Sequence, residues 1–350
     1  MTHKILKWTK RGLFGMLLLL VVILITGYFY ESSKRKSAPF EHPAPGKMVQ
    51  AGDHRLHVRL IGQGDFTVIM DAGLGELGSF AFLAVEKQLA QHAKVLLYDR
   101  AGCNWSEPSA SKRTPEHIAK ELHLVVQQLG ITGPIILVGH SQGGLNMMQY
   151  AAMFREQVKG LVLLDAAHPE AFATMPTDVK EVLLNASGNI GFVNFLAKTG
   201  IMRAIMPENA LQLPDKIAGI NHDSIAILLT SFFPQTMNHC IYPEHKDGVV
   251  NHGLTMNDLQ LDSLPVRILA ATGSMKGPMG APPGWNDELE KKHIPYWSAM
   301  QQGLLALSSN SEIAVLKNSG HGIQSTQPDT VVRTILALIA PHSSMPVQGR

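Results

Sequence analysis

Cysteine is nearly missing from this chain of 350 residues, which has only Cys103 and Cys240. Two thiols cannot define a disulfide framework, so the expected state of each is a free, apolar side chain. A bond between them is an alternative only if the domain is extracytoplasmic. Excess charge is scarce too. Thirty basic residues stand against 28 acidic ones, a formal balance of +2, and part of the basic count sits in the N-terminal tail. That excludes the electrostatic footprint of a nucleic-acid binder. There is no internal repeat and no low-complexity block. With 45% hydrophobic and 17% charged residues, the chain can bury a sizeable core, as one large α/β domain or two smaller ones.

One long uncharged run is present, at the N-terminus. Gly12 to Tyr30 carries no Asp, Glu, Lys or Arg and includes Met16-Leu17-Leu18-Leu19-Leu20-Val21-Val22-Ile23-Leu24-Ile25. As a helix it rises about 28 Å, close to the roughly 30 Å of a bilayer core. Lys4, Lys7, Lys10 and Arg11 precede it and Lys34, Arg35 and Lys36 follow with Glu31, so the positive-inside rule favours a cytoplasmic N-terminus. No small-x-small cleavage site follows, and the run is long for a signal-peptide h-region. The expectation is therefore a single-pass signal anchor over residues 1–36 with the main domain extracytoplasmic. An extended Pro-rich linker is expected over 37–50, on Pro39, Pro43, Pro45 and Gly46. One domain then occupies 51–342, with a tail at 343–350.

From residue 51 short apolar runs alternate with helical stretches, the pattern of a mostly parallel sheet flanked by helices. Strands are expected at 56–61, 67–71, 94–98, 134–139, 160–165, 266–272 and 312–317. Helices are expected at 80–92, 115–130, 145–154 and 328–339. Residues between Asp165 and Leu264 break the rhythm. They hold Met175, Met202, Met206, Met237 and Met256 and predict a mainly helical cap at about 167–263.

The chemistry is concentrated in Gly139-His140-Ser141-Gln142-Gly143, entered from Pro134-Ile135-Ile136-Leu137-Val138 and left through Gly144 into a helix. A serine at such a strand-to-helix turn projects its hydroxyl from the sheet end, and glycines flank it where a Cβ would collide. The helix start also aims N–H groups at negative charge developing there. A serine needs a base and an acid to orient it. Among 16 histidines, His321 combines a strand-end position with the small flanking residues of Asn318-Ser319-Gly320-His321-Gly322. His54, His57, His117, His123 and His168 read as surface or packing residues. An oxyanion hole needs two main-chain donors. Gln142 supplies one, and Leu74 in Asp71-Ala72-Gly73-Leu74-Gly75 the other.

These motifs resemble the α/β-hydrolase superfamily, esterase/lipase-like branch, from about Gly52 to Ile339 excluding most of the insertion. Asp71-Ala72-Gly73-Leu74-Gly75 resembles the oxyanion loop, with Asp-Ala in place of His-Gly. Tyr98-Asp99-Arg100-Ala101-Gly102-Cys103-Asn104-Trp105-Ser106 is similar to the D-x-x-G-x-G-x-S turn, with Asn104 where the second glycine sits. Gly139 to Gly144 matches the nucleophile elbow, Ser319-Gly320-His321 the histidine loop, and Gln327-Pro328-Asp329 the start of the last helix. The resemblance places the triad acid after the strand at 266–272, yet Gly273-Ser274-Met275-Lys276-Gly277-Pro278-Met279-Gly280 offers no carboxylate. Some relatives take it from the strand before the cap, where Asp165 stands. Asp165 is preferred, Asp287 is the alternative and Asp262 a third; Asp329 reads as a helix N-terminal carboxylate.

The expected function is a membrane-anchored serine esterase (carboxylic ester hydrolase) acting on an apolar small molecule. Its catalytic set is Ser141, Asp165 and His321, with an oxyanion hole from Leu74 and Gln142, and neither cofactor nor metal is required. Asp99 and Arg100 are expected to pair near the sheet end, and Cys103 to pack. The spacing of His239, Cys240, His245 and His252 fits no usual zinc pattern. Two alternatives stay open: C–C or amide cleavage by the same triad, and a degenerate binding protein lacking the carboxylate after Thr272. Dehalogenase and epoxide-hydrolase chemistry is disfavoured, because related enzymes carry Asp at the position of Ser141.

Overall fold

Apolar runs too short for helices build the centre of the molecule. Strands β3 (Thr67–Asp71) and β5 (Ile135–His140) are buried along their whole length, as strands covered on both faces must be. They belong to an eight-stranded sheet of order β1-β2-β4-β3-β5-β6-β7-β8. The remaining strands are β1 (Lys47–Ala51), β2 (His54–Ile61), β4 (Lys94–Tyr98), β6 (Val158–Leu164), β7 (Val266–Ala270) and β8 (Ser311–Val315). Pairing is antiparallel for β1/β2 and β2/β4 and parallel from β4 to β8. The computed structural model describes residues 2–205, 227–250, 252–274 and 281–340. Met206, residues 275–280 and the tail at 343–350 lie outside the described residues.

Helices α2 (Leu83–Leu89), α3 (Pro115–Gln128), α4 (Gln142–Met153) and α7 (Pro328–Ile339) pack on the sheet. Helix α3 starts where Thr114 accepts a hydrogen bond from the His117 N–H and Pro115 takes the first position, where a missing N–H costs nothing. One face of the sheet buries Ile69, Leu96 and Leu137 against Leu122, Val125 and Met148. The other buries Val68, Val138 and Val162 against Phe82, Leu89 and Ile335.

The register sets the site. Asp71 lies opposite Gly139, and His140 opposite Leu164. The residues that follow β3, β5 and β6 therefore emerge side by side at one edge. The insertion between β6 and β7 roofs this edge with α5 (Thr177–Lys198), short helices at Ala171–Thr174 and Ile201–Ile205, and a helical run over 228–250 in which α and π turns alternate. After β7 comes α6 (Asp287–Gly303).

Three expectations need correction. The linker read over 37–50 is largely ordered. Helix α1 runs from Thr2 to Glu41 through Pro39, because Ala38 is buried among Phe80, Trp105, Leu228 and Phe232. Strand β1 then forms a hairpin with β2 through Gly52, whose φ of 82° suits a two-residue turn. Secondly, Cys103 and Cys240 are joined in a disulfide rather than free, closing a separation of 137 residues with Cα atoms 5.1 Å apart. The cause is tertiary: the turn after β4 lies directly under the 228–250 run. Thirdly, Asp99 and Arg100 do not pair with each other. Asp99 takes His57 Nδ1–H at 2.7 Å and the Ser79 N–H at 2.8 Å. Arg100 bridges Asp71 at 2.7 Å and Glu244 at 2.8 Å.

Candidate active site

Ser141 follows β5 and precedes α4 with φ 52° and ψ −121°, a conformation that side chains other than glycine enter only under constraint. The constraint is close packing. A Cβ on Gly143 would collide with the carbonyl oxygens of Asp71 and Ala72, and one on Gly144 with Ala166. The main chain is pinned as well: the Ser141 N–H donates to Leu164 O at 3.1 Å, and Ala167 N–H donates to Ser141 O at 2.9 Å.

Asp165, directly after β6, also has positive φ, at 42°. Its carboxylate is buried and satisfied on both oxygens. Oδ1 accepts from the Ala271 N–H and from Trp297 Nε1–H, each at 2.9 Å. Oδ2 lies 2.7 Å from His321 Nδ1. A carboxylate only accepts, so Nδ1 carries the proton and Nε2 keeps its lone pair. The structure thus brings Asp165 to His321. Asp287 is instead the first residue of α6, within an acidic first turn. Asp262 is exposed and 3.3 Å from Arg155, and Asp329 sits in the first turn of α7.

Behind His321 lies a second histidine that the motif names without assigning a role. His140 is buried, its ring 4.6 Å from that of His321, and its Nε2–H donates to the His321 carbonyl at 2.8 Å. Its Nδ1 faces Glu76 Oε1 at 2.9 Å. Burial pushes the His140 pKa down most strongly, but the charge and contact of Glu76, the His321 carbonyl and the charge of Asp165 together outweigh it, and the net shift is upward. Burial likewise pushes Glu76 up, and His140 with the Gly73 N–H overcomes that to bring Glu76 down to about 2. Glu76 also takes the Gly73 N–H at 2.6 Å and Gln324 Nε2–H at 3.1 Å. It therefore ties the loop after β3 to the histidine loop.

Leu74 and Gln142 line one cavity with Ser141. Gln142 is the first residue of α4, so its N–H has no acceptor within the helix. The loop carrying Leu74 is held from beneath by Arg100, which donates to Ala72 O at 2.6 Å and Gly73 O at 3.2 Å. The cavity holds about 670 Å³, within the range of small-molecule sites. Phe172, Met175, Leu183 and Ile190 from the insertion give it apolar walls, and no Asp, Glu, Lys or Arg lines it among the described residues. Burial pushes the pKa of the three lining histidines, His168, His245 and His252, downward, favouring their neutral forms. His168, read from the sequence as a surface or packing residue, thus lines the site. His239 lies apart, 3.2 Å from Arg35. Cys103, Cys240 and Glu244 cluster closely, but with both sulfurs in the disulfide the trio offers no thiolate to a metal.

Trp297, Glu76 and Glu244 are the participants that sequence reasoning missed. Each comes from a loop or helix whose approach to the sheet edge is set by the fold rather than by local spacing. A signal existed for Glu76 alone, as a lone carboxylate two residues after the candidate oxyanion donor.

A family profile described as the alpha/beta hydrolase fold matches residues 68–192. Among curated proteins, the chain is 21% identical to the uncharacterised protein YbdG of Bacillus subtilis over 66% of this chain and 71% of that one. It is 29% identical to a proline iminopeptidase of Saccharolobus solfataricus over 35% of this chain and 39% of the peptidase. It spans less than half the length of several curated relatives it matches, 42% in YqjL of Bacillus subtilis and 20% in a transporter of Hormonema carpetanum. Among solved structures, an esterase from Exiguobacterium antarcticum superposes with TM-score 0.56 at 17% identity, over 84% of this chain and 100% of that one. The epoxide hydrolase CorEH superposes with TM-score 0.60 at 18% identity, over 85% and 98%. At these identities the likeness to solved structures is one of fold.

Proposed function

Because this chain belongs to the α/β-hydrolase superfamily, we propose that it is a membrane-anchored serine hydrolase that cleaves an ester-like bond in an apolar small molecule. The observation that carries this reading is the 2.7 Å contact of Asp165 with His321 Nδ1. It orients the His321 ring with Nδ1 towards Asp165, and Ser141, in strained backbone geometry, opens onto an apolar cavity.

The reaction follows from these groups. Ser141 Oγ attacks the carbonyl carbon while His321 Nε2 takes its proton. Asp165 fixes the ring's tautomer and stabilises the imidazolium. The oxyanion is held by the N–H groups of Leu74 and Gln142. Collapse expels the alcohol, which receives the proton from His321, and leaves an acyl-serine. Water, deprotonated by His321, then attacks the acyl carbon, releasing the acid and restoring Ser141.

Helix α1 supplies the anchor. Its stretch from Trp8 to Glu41 has a mean hydropathy of 2.5 over its most apolar window, none of which is buried. The basic residues before it favour a cytoplasmic N-terminus. The Cys103–Cys240 disulfide fits an oxidising compartment for the domain. Labelling by a fluorophosphonate probe, abolished in Ser141→Ala, is the test of the chemistry. Folded protein that takes no label refutes it. Protease access to the domain in intact against permeabilised cells tests the side.

A further inference from the structure

Helix α5 is apolar on two faces, and among the described residues one is packed while the other is largely exposed. At about 100° per residue, Leu183 and Ile190 share a face that lines the cavity. Leu184, Phe192 and Phe195 lie together on the other side, spanning about 80°. That second face is bare: Phe192 is 61% exposed and Phe195 45%. Ile205, shortly beyond, is 62% exposed. Neighbouring large apolar groups left open to water mark an interaction site.

What covers them is indicated by α1. The end of α5 is packed onto that helix where its apolar span closes. A Cβ on Gly27 would collide with the Thr199 carbonyl, and one on Gly200 would meet Gly27 O at 2.7 Å. Thr199 is tied in turn to Phe195, donating through N–H at 3.0 Å and Oγ1 at 2.9 Å to its carbonyl. One turn further along α1, buried Glu31 pairs with Arg203 at 2.8 Å, neutralising both charges at that level. The C-terminal end of α5, one turn beyond Phe195, therefore packs on α1 at Gly27, beside the exposed apolar residues Ile25, Tyr28 and Phe29 of that helix.

We propose that the outer face of α5, with Phe192, Phe195 and Ile205, rests in the bilayer that holds α1, so that long-chain neutral esters pass from the membrane into the cavity along this helix. The proposal rests on the hydrolase reading above and names its source of substrate. One helix, about 10 Å across, separates the lipid-facing side from the cavity wall. A lining with no Asp, Glu, Lys or Arg among the described residues suits a substrate that dissolves in hydrocarbon and not a charged, water-borne one.

The test uses full-length protein in phosphatidylcholine vesicles with two substrates, water-soluble p-nitrophenyl acetate and bilayer-dissolved p-nitrophenyl palmitate. In Phe192→Ser/Phe195→Ser, palmitate turnover is expected to fall at least about tenfold while acetate turnover stays within about twofold. No change in either rate, or an equal fall in both, overturns the route. Depth is read independently from a nitroxide on Phe192→Cys, the sole free thiol because the native pair is bonded. It should match a label on exposed Ile25→Cys, near the Gly27 contact, in accessibility to oxygen and protection from a nickel chelate. Behaviour like a label on exposed Lys94→Cys overturns the docking. Failure of the wild type to turn over acetate counts against the esterase reading alone, leaving the nitroxide to decide the surface.

Discussion

Glu76 Oε1 stands 2.9 Å from His140 Nδ1, and the far nitrogen of that ring donates to the His321 carbonyl at 2.8 Å. A half-buried carboxylate and a buried imidazole thus sit directly behind the histidine loop, and the imidazole holds its main chain.

The pair predicts a pH signature. Glu76 falls from its ordinary 4.5 to about 2, so its contribution is full above 4.5 and lost as pH falls through 2. His140 rises from its ordinary 6.5, so its contribution is full below 6.5 and lost as pH rises through the higher folded value. The stability gap between wild type and Glu76→Gln should therefore peak between those two ordinary values, at about 1–3 kcal/mol, and narrow on either side. Urea unfolding at about pH 3, 5.5 and 8.5 checks it; a gap independent of pH contradicts it.

Replacing Asp165 by Asn should lower kcat on the order of 10⁴-fold with the fold intact, because the ring loses the acceptor that fixes its tautomer. Asp287→Asn should stay within about threefold. Steady-state kinetics on one soluble ester decides, and the reverse ranking would move the acid to α6.

Arg100→Met would leave Asp71 and Glu244 buried without their cation. Removing one member of a buried charge cluster costs about 3–5 kcal/mol. A lowered Tm is expected together with reduced kcat, since Arg100 also holds the carbonyls of Ala72 and Gly73. An unchanged Tm would show the cluster to be energetically idle.

Opening the disulfide in Cys103→Ser/Cys240→Ser releases a loop of 137 residues. Chain entropy puts the cost at about 5 kcal/mol as an upper figure, and measured values are commonly 2–4. Thermal unfolding with and without reductant should reproduce the loss in the wild type and show no further loss in the double variant.

Much of this molecule is legible from local pattern. Strands β3 and β4 begin and end where their apolar runs do, and α7 begins at Pro328 and ends at Ile339 as its composition dictates. Strand β1 escaped notice because Lys47-Met48-Val49-Gln50-Ala51 is a half-exposed edge held by β2. At the site, motif spacing singles out Ser141 and His321. The contact of Asp165 with His321 depends on register, since Leu164 lies beside both His140 and Leu269. The contacts of Glu76 with His140, Arg100 with Glu244 and Trp297 with Asp165 lie further from reach, because they join residues 64, 144 and 132 positions apart and no local periodicity records such distances.

The turn after β4 grips the roof at three neighbouring points: Arg100 on Glu244, Asn104 on Thr236 at 2.9 Å, and Cys103 on Cys240. A lid riveted along that border cannot swing away from it. At the opposite margin α5 meets α6 through Lys292 and Asp178 at 2.5 Å, a pair that water can reach and that binds correspondingly weakly. The two borders of the roof are thus fastened by unequal means, buried on one side and solvated on the other.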